Sequence, residues 1–327
     1  MTSVTATAHA GVTLRLAVGD GPADPALRPF DAVRMAITPV TRVTLDDDPG
    51  VERVPGPRDD GRGAVTSLTI RGHRARPLPC GPDNLAWRAV ESAVAAAHAG
   101  HRRGEGARVH VDKGFPGGSG LGSAAADAAA ALIAARAKLG LALTDGDLRA
   151  VAADLGPAVV AALDGGVGVI SSDGADATVA PALARGPFHW VMALHTQPLT
   201  AAEVLRARDR IAAGRGIAPA GDPNPLLRAL AAGDAAALAG SMRNEVQPAV
   251  ISLKPGLRRI FSAGQDAGAL AATVSSTGTA VAFLCPDRPT ALEVAVAAGG
   301  VGLTLDVIVA EGPAGPATLL PPPEPAA

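Results

Sequence analysis

The stretch from Lys113 to Asp127, KGFPGGSGLGSAAAD, carries the residue types best placed to do chemistry in this chain. A strand end passes through a proline-opened, glycine-rich loop into an alanine-rich helix. Glycines at 117, 118, 120 and 122 let backbone N–H groups come close to a ligand, and Ser123 stands where the helix begins. The helix N-terminus adds roughly half a positive charge aimed at the same point. Together these features describe a cradle for a polyphosphate. A P-loop is excluded because no Lys-Ser/Thr pair follows the last glycine. A dinucleotide-type match exists at Gly120, Gly122 and Ala125, but Leu139 leads to Gly140 and a further helix where that motif needs a strand ending in an acid. A serine nucleophile elbow is set aside as well, since Leu121 occupies its last glycine position. The plain alternative is a flexible loop before a helix, in a chain rich in glycine and alanine.

The elements that must hold this loop follow from hydrophobic periodicity. Residues 12–18, 65–70 and 109–111 alternate as half-buried strands, and the Pro/Gly/charge cluster at 53–63 reads as a surface loop. Asp83 or Asn84 caps a helix running to about His98 and stopped by Gly100; a second helix runs from Ser123 to Leu139. Thr144 with Asp147 resembles a capping box and opens a third, to about Asp154. The apolar runs after Gly165-Gly166 and at 188–194 read as buried strands, with the first domain ending between them. Helices at 200–213, 225–239, 256–267 and 289–298 and strands at 270–275, 279–285 and 304–309 complete an α+β pattern. The domains expected are 1–180 and 181–312, followed by a disordered Pro/Ala tail at 313–327. No internal repeat of fixed period is present.

Composition narrows the function classes. With 48% hydrophobic and 18% charged residues the chain has the makeup of a soluble globular protein. Its net charge of -2 supplies no cationic excess for nucleic acid or an anionic membrane. Cys80 and Cys285 lie far apart with no CxxC and no histidine cluster, so neither a disulfide framework nor a zinc site is expected. A cytoplasmic protein is expected, as a monomer or a homodimer. His98 and His101 flank a helix C-terminus, where cations suit the dipole better than a metal site would. Trp87 and Trp190 read as packing residues.

The segment PGGSGLGSAAA resembles the glycine signature of the galactokinase, homoserine kinase, mevalonate kinase and phosphomevalonate kinase (GHMP) superfamily. Within it, GVTLRLAVGD, PDNLAWRAVE, FHWVMAL, NEVQPAVISLKP and AGALAATVSSTG are similar to the actinobacterial type of 4-diphosphocytidyl-2-C-methyl-D-erythritol kinase, over about residues 10–310. The resemblance implies a two-domain GHMP kinase fold, with an N-terminal ribosomal-protein-S5-like α/β domain and a C-terminal ferredoxin-like α/β domain. It implies ATP with its phosphates on Lys113, Pro116, Gly117, Gly118, Ser119, Gly120, Leu121, Gly122 and Ser123, and its adenine near Asn84 and Leu85. Magnesium at Ser123 and Asp127, and a small alcohol held by Thr13, Phe30, Leu205 and Gly278, are implied in the same way.

The sequence departs from the family where the chemistry is done. The family's lysine falls on Gly11, within His9–Thr13, and its aspartate base falls on Ala158. The cytosine-binding Tyr-His pair falls near Pro29-Phe30, the second stacking aromatic on Leu205, and the third glycine motif keeps only Gly278. Residues 170–174, ISSDG, stand where the family has a further glycine pattern. Asp164 and Asp127 are the carboxylates that could substitute, and His9 and Lys113 the cations, with Lys113 expected at the surface or facing phosphate. Losing a base and an electrostatic partner costs about two to four orders of magnitude each, without additivity. The expectations are therefore a weak or inactive kinase, a non-catalytic paralogue with a binding or regulatory role, or a kinase retargeted to another small alcohol.

Overall fold

The computed structural model describes residues 3–22, 24, 27–47, 63–72, 78–97, 106–174 and 176–321. Most of the expected 53–63 loop, together with His98, Gly100, His101 and the last six residues, lies outside the described set.

A long antiparallel hairpin of β1 (Val4–Val18) and β2 (Phe30–Asp47) forms the spine of the first sheet. The free edge of β2 is divided between two partners. Strand β4 (Ala107–Lys113) pairs with Arg42 to Asp47, and β5 (Val167–Ser172) with Phe30 to Met35. Between these stretches β2 bulges, its register against β1 jumping from Val40 at His9 to Ile37 at Ala10. Pro39, which has no N–H for a ladder, sits inside this jump. Strand β3 (Val65–Gly72) lies parallel to β4, and β6 (Ala177–Ala182) pairs with β5.

Four helices pack with this sheet. Helix α1 (Leu85–Ala96) is capped by Asn84, and α2 (Ser123–Lys138) is buried at Ser123 and from Ala125 to Ala135, where alanine fills almost every position. Helix α3 (Asp145–Leu155) opens with the expected capping box: Asp147 N–H donates to Thr144 Oγ1, and Thr144 N–H donates to Asp147 Oδ2. Helix α4 (Pro157–Asp164) starts with a proline at its first position, where the lost N–H costs nothing.

The second sheet has the order β11-β7-β10-β9, built from β7 (Phe188–His195), β9 (Ala271–Val274), β10 (Val281–Cys285) and β11 (Thr304–Gly312), all antiparallel. Both of its faces are covered, which is why FHWVMAL is apolar without alternation. Trp190, Met192 and Leu194 face a core shared with α6 (Asn224–Ala232) and α7 (Ala235–Ser241). Val191 and Ala193 face a second core with α5 (Ala201–Arg215), α8 (Gln247–Leu253), α9 (Leu257–Asp266) and α10 (Arg288–Gly300). The two-residue strand β8 (Arg243–Asn244) runs parallel to β1 and joins the halves.

Strands β2 and β6 and helices α4 and α8 go beyond the elements expected from sequence, and the helix expected over 225–239 is two, α6 and α7, divided at the Gly233 cap. The tail expected to be disordered from residue 313 is ordered at its start. From Gly312 the chain returns to the first sheet: Ala314 N–H donates to Ala36 O, Ala317 is buried, and β12 (Thr318–Leu319) pairs with β1. Apolar burial and an open edge on β1 order residues that composition alone marks as a tail. No helix among the described residues is long and apolar enough to cross a membrane.

The hydrogen bonds from Thr144 hold the Asp147 carboxyl below its ordinary value of 3.8. A depressed carboxylate contributes stability that is present above its unfolded pKa and lost as pH falls through the folded one. Thr144→Ala is expected to lower unfolding free energy by about 1 kcal/mol at pH 7. That deficit should shrink in urea titrations run below pH 4, where the wild type loses the same carboxylate interaction.

Candidate active site at the glycine loop

The loop between β4 and α2 is built to present its backbone. Among the described residues no N–H from Gly117 to Ser123 donates a hydrogen bond within the protein. A row of backbone donors left unused by the protein at a helix N-terminus fits the phosphate oxygens of a nucleotide. The loop does not float. Ala280 N–H donates to Ser119 O at 3.0 Å, Ser275 Oγ donates to Gly120 O at 2.9 Å, and Thr13 N–H donates to Ser275 Oγ at 3.3 Å. Gly120 has φ +92°, and a Cβ there would collide with Ser275 O, so only glycine lets the loop lie this close to the hairpin between β9 and β10. Gly278 faces Ser119 across the same contact, where a Cβ would overlap the Ser119 carbonyl. Its place is thus in the clamp.

Beneath the loop lies a buried polar cluster. Lys113 is 3% exposed and forms an ion pair with Asp127, also 3% exposed. Lys113 Nζ also donates to Ser123 Oγ at 2.7 Å, and Thr41 Oγ1 donates to Asp127 Oδ1 at 2.8 Å. Lys113 is therefore neither a surface residue nor free to meet phosphate, because its charge is consumed beneath the site. The expected metal ligands are corrected with it. Both Asp127 oxygens and the Ser123 hydroxyl are already engaged, and the described residues hold no group of three His, Cys, Asp or Glu able to cage an ion. Desolvation raises the Asp127 carboxyl above its usual value, against the opposing charge and hydrogen bonds of Lys113 and Thr41. These residues do not fit a protein-held magnesium.

At the mouth of the loop stands Arg34, which the sequence reading missed. It lies opposite Thr13 on β1 and Gly168 on β5, hence diagonally across from Gly11 on the same face. Its guanidinium fills the space that side chains at Gly11 and Gly122 would take: a Cβ at either position would fall inside it. Arg34 Nη2 donates to Leu121 O at 2.9 Å, and Gly11 N–H donates to the same carbonyl at 3.0 Å. No carboxylate among the described residues pairs with Arg34. Desolvation draws its pKa down to about 10, which leaves it a cation at neutral pH. A cation near a helix N-terminus opposes the dipole, at a cost of the order of 0.3–1 kcal/mol. The one sequence signal that could have found it is a pair of glycines, Gly11 and Gly122, whose missing side chains leave a volume to be filled.

The remaining candidates separate. Asp164 ends α4 and pairs with Arg149 at 3.1 Å on the surface beside β6, so its place as a substitute base is corrected. Ala158 is on the first turn of α4, packed against the first core. His9 is partly buried with an unpartnered Nδ1; burial lowers its pKa, against the raising influence of the Thr38 and Ile37 backbone, so it is neutral at pH 7 and cannot substitute as a cation. Asn84 spends its side chain capping α1, with Oδ1 accepting from Ala86 N–H and Nδ2 donating to Pro79 O; Leu85 begins that helix. Thr13 contributes its N–H to the clamp. Leu205 is 4% exposed inside the second core and offers no face to a base, a further correction. Phe30 lines a cleft of about 360 Å³ with Asp31, Ser171 and Glu245. It shares a face of β2 with Arg34, four residues and about 13 Å away.

This arrangement, a clamped loop of unused amides feeding a buried helix between two α+β halves, defines a class. The GHMP kinases N terminal domain model matches residues 84–172 and the GHMP kinases C terminal model matches 226–301. The chain belongs to the GHMP kinase family. More particularly, it is 41% identical to the 4-diphosphocytidyl-2-C-methyl-D-erythritol kinase of Mycolicibacterium smegmatis, over 79% of each chain. The enzyme of that name from Cutibacterium acnes is 37% identical over 98% of each chain. Among solved structures, a 4-(cytidine 5'-diphospho)-2C-methyl-D-erythritol kinase superposes with TM-score 0.67 at 21% identity, covering 95% of this chain and 100% of that one. Homoserine kinase from Cytophaga hutchinsonii gives 0.70 at 18% identity over 98% of both.

If Asp127 serves Lys113 and not a metal, Asp127→Asn leaves a buried, uncompensated ammonium. Chemical denaturation should then show a loss of about 3–5 kcal/mol. A variant of unchanged stability but altered magnesium dependence would contradict this assignment.

Proposed function

We propose that the protein is an ATP-dependent phosphotransferase acting on the hydroxyl of 4-diphosphocytidyl-2-C-methyl-D-erythritol, and that it turns over slowly. The observation that carries this reading is the clamped glycine loop with its row of unused amides, on a chain that matches enzymes of that name along most of its length. The loop from Gly117 to Ser123 would hold the triphosphate, while the cleft beside Phe30 takes the remote end of the substrate. In such a site transfer depends on positioning and charge stabilisation, and this chain retains the means for both. Magnesium would enter with the nucleotide, held by phosphate oxygens and water.

Slow turnover follows from the residues standing at the family's catalytic positions, Gly11 and Ala158, neither of which moves a proton. Ala158 and the commitment of Asp164 to Arg149 favour a second reading, a nucleotide-binding paralogue without catalysis.

The test is ADP release from purified protein with magnesium-ATP and the cytidyl substrate. Substrate-dependent turnover about 10²- to 10⁴-fold below that of a relative carrying both catalytic residues supports the proposal. ATP binding with no substrate-dependent ADP selects the second reading, and turnover only on a different alcohol shows a changed specificity. Asp164→Asn should leave whatever rate is measured within twofold, since its carboxylate serves only a surface pair worth about 1 kcal/mol or less.

A further inference from the structure

Arg34 has no structural use that accounts for its charge. Its guanidinium lies against Leu121 and Gly122 in the loop of unused amides, it has no carboxylate partner among the described residues, and it sits beside the positive end of α2. A guanidinium has five N–H donors, and the described structure gives a partner only to Nη2. An apolar residue would fill the same volume at lower electrostatic cost, giving up one hydrogen bond to Leu121 O, and an anion between the guanidinium and the loop would offset the charge.

We propose that Arg34 is the catalytic residue that holds the terminal phosphoryl group of the nucleotide as it is transferred. The assignment rests on the kinase reading above and deepens it. The substrate hydroxyl oxygen forms its bond to the terminal phosphorus as the bond from that phosphorus to the bridging oxygen breaks, and ADP leaves with the electron pair. Arg34 donates hydrogen bonds to the equatorial oxygens as negative charge spreads over them. A guanidinium stays protonated at neutral pH and cannot act as the base. The hydroxyl proton therefore passes to an oxygen of the transferred phosphoryl group, and no side-chain base is needed. Phe30, on the same face of β2, holds the substrate's far end about 13 Å along the strand and so sets the approach of the hydroxyl.

The geometry supplies its own exchange test, because a side chain launched from Gly11 enters the volume that Arg34 occupies. Wild type, Arg34→Gln and the double variant Gly11→Lys/Arg34→Ala are compared for kcat, for ATP and ADP affinity by calorimetry, and for thermal midpoint. Arg34→Gln is expected to lower kcat about 10²- to 10³-fold. It should also erase most of the preference for ATP over ADP, with a midpoint unchanged or raised. The double variant, with its cation restored from the neighbouring strand, should recover most of both. Arg34→Gln retaining kcat and the ATP/ADP ratio within threefold overturns the assignment while leaving the kinase reading intact. Equal loss of ATP and ADP binding with a lowered midpoint shows a structural role and also overturns it. If the wild type binds ATP without turnover, the kinase reading fails, and the ATP/ADP ratio of Arg34→Gln alone decides whether Arg34 holds the terminal phosphate. A wild type that binds neither nucleotide overturns both.

Discussion

The contact between the glycine loop and the hairpin joining β9 to β10 is the constraint on which the rest of the structure depends. Through Ser119, Gly120, Ser275 and Ala280 the first half of the chain is fastened to the second by backbone groups that tolerate little change in spacing. A loop whose amides find no partner among the described residues has to be held in shape from elsewhere. Fixing it from behind keeps the donors aimed outward and avoids the entropy of ordering them when a ligand binds. The close approach also explains why glycine stands at 120 and 278: the backbones meet where a side chain would be.

A second layer of the design is the separation of two cations. Lys113 and Arg34 both approach the start of α2, one from beneath and one from the mouth. The lysine is neutralised by Asp127 and serves to hold the loop base, in a pair whose removal by halves would strand a charge in the core. Arg34 is left without a counter-ion among the described residues. Two residues of like charge a short distance apart thus have different duties, decided by which one the fold supplies with a carboxylate.

Much of the local structure was legible from residues in sequence. The Thr144 capping box, a cap at Asp83 or Asn84 (the structure uses Asn84), the extent of α2 and the strand character of 188–194 all follow from short-range chemistry. The reading failed where pattern and structure part company. Strand β2 was overlooked because Pro39 and Arg34 interrupt its alternation; the first sits at a bulge and the second turns its charge toward the loop. Residues 313–321 look like a tail and yet close the edge of β1, because strand edges accept any backbone that reaches them. Leu205 reads as a changed stacking residue, whereas α5 simply buries it.

The sequence by itself determined that a helix begins behind a glycine-rich loop, that the elements are α+β, and that neither residue 11 nor residue 158 carries an ionisable side chain. Those properties depend on residues near one another in the chain. Only the tertiary structure decided that Arg34 fills the volume over Gly11, that Lys113 is spent on Asp127, and that the hairpin at Ser275 locks the loop. Each of these joins residues brought together by strand register or by the meeting of two sheets, and register is a property of the packed chain that no local spacing encodes.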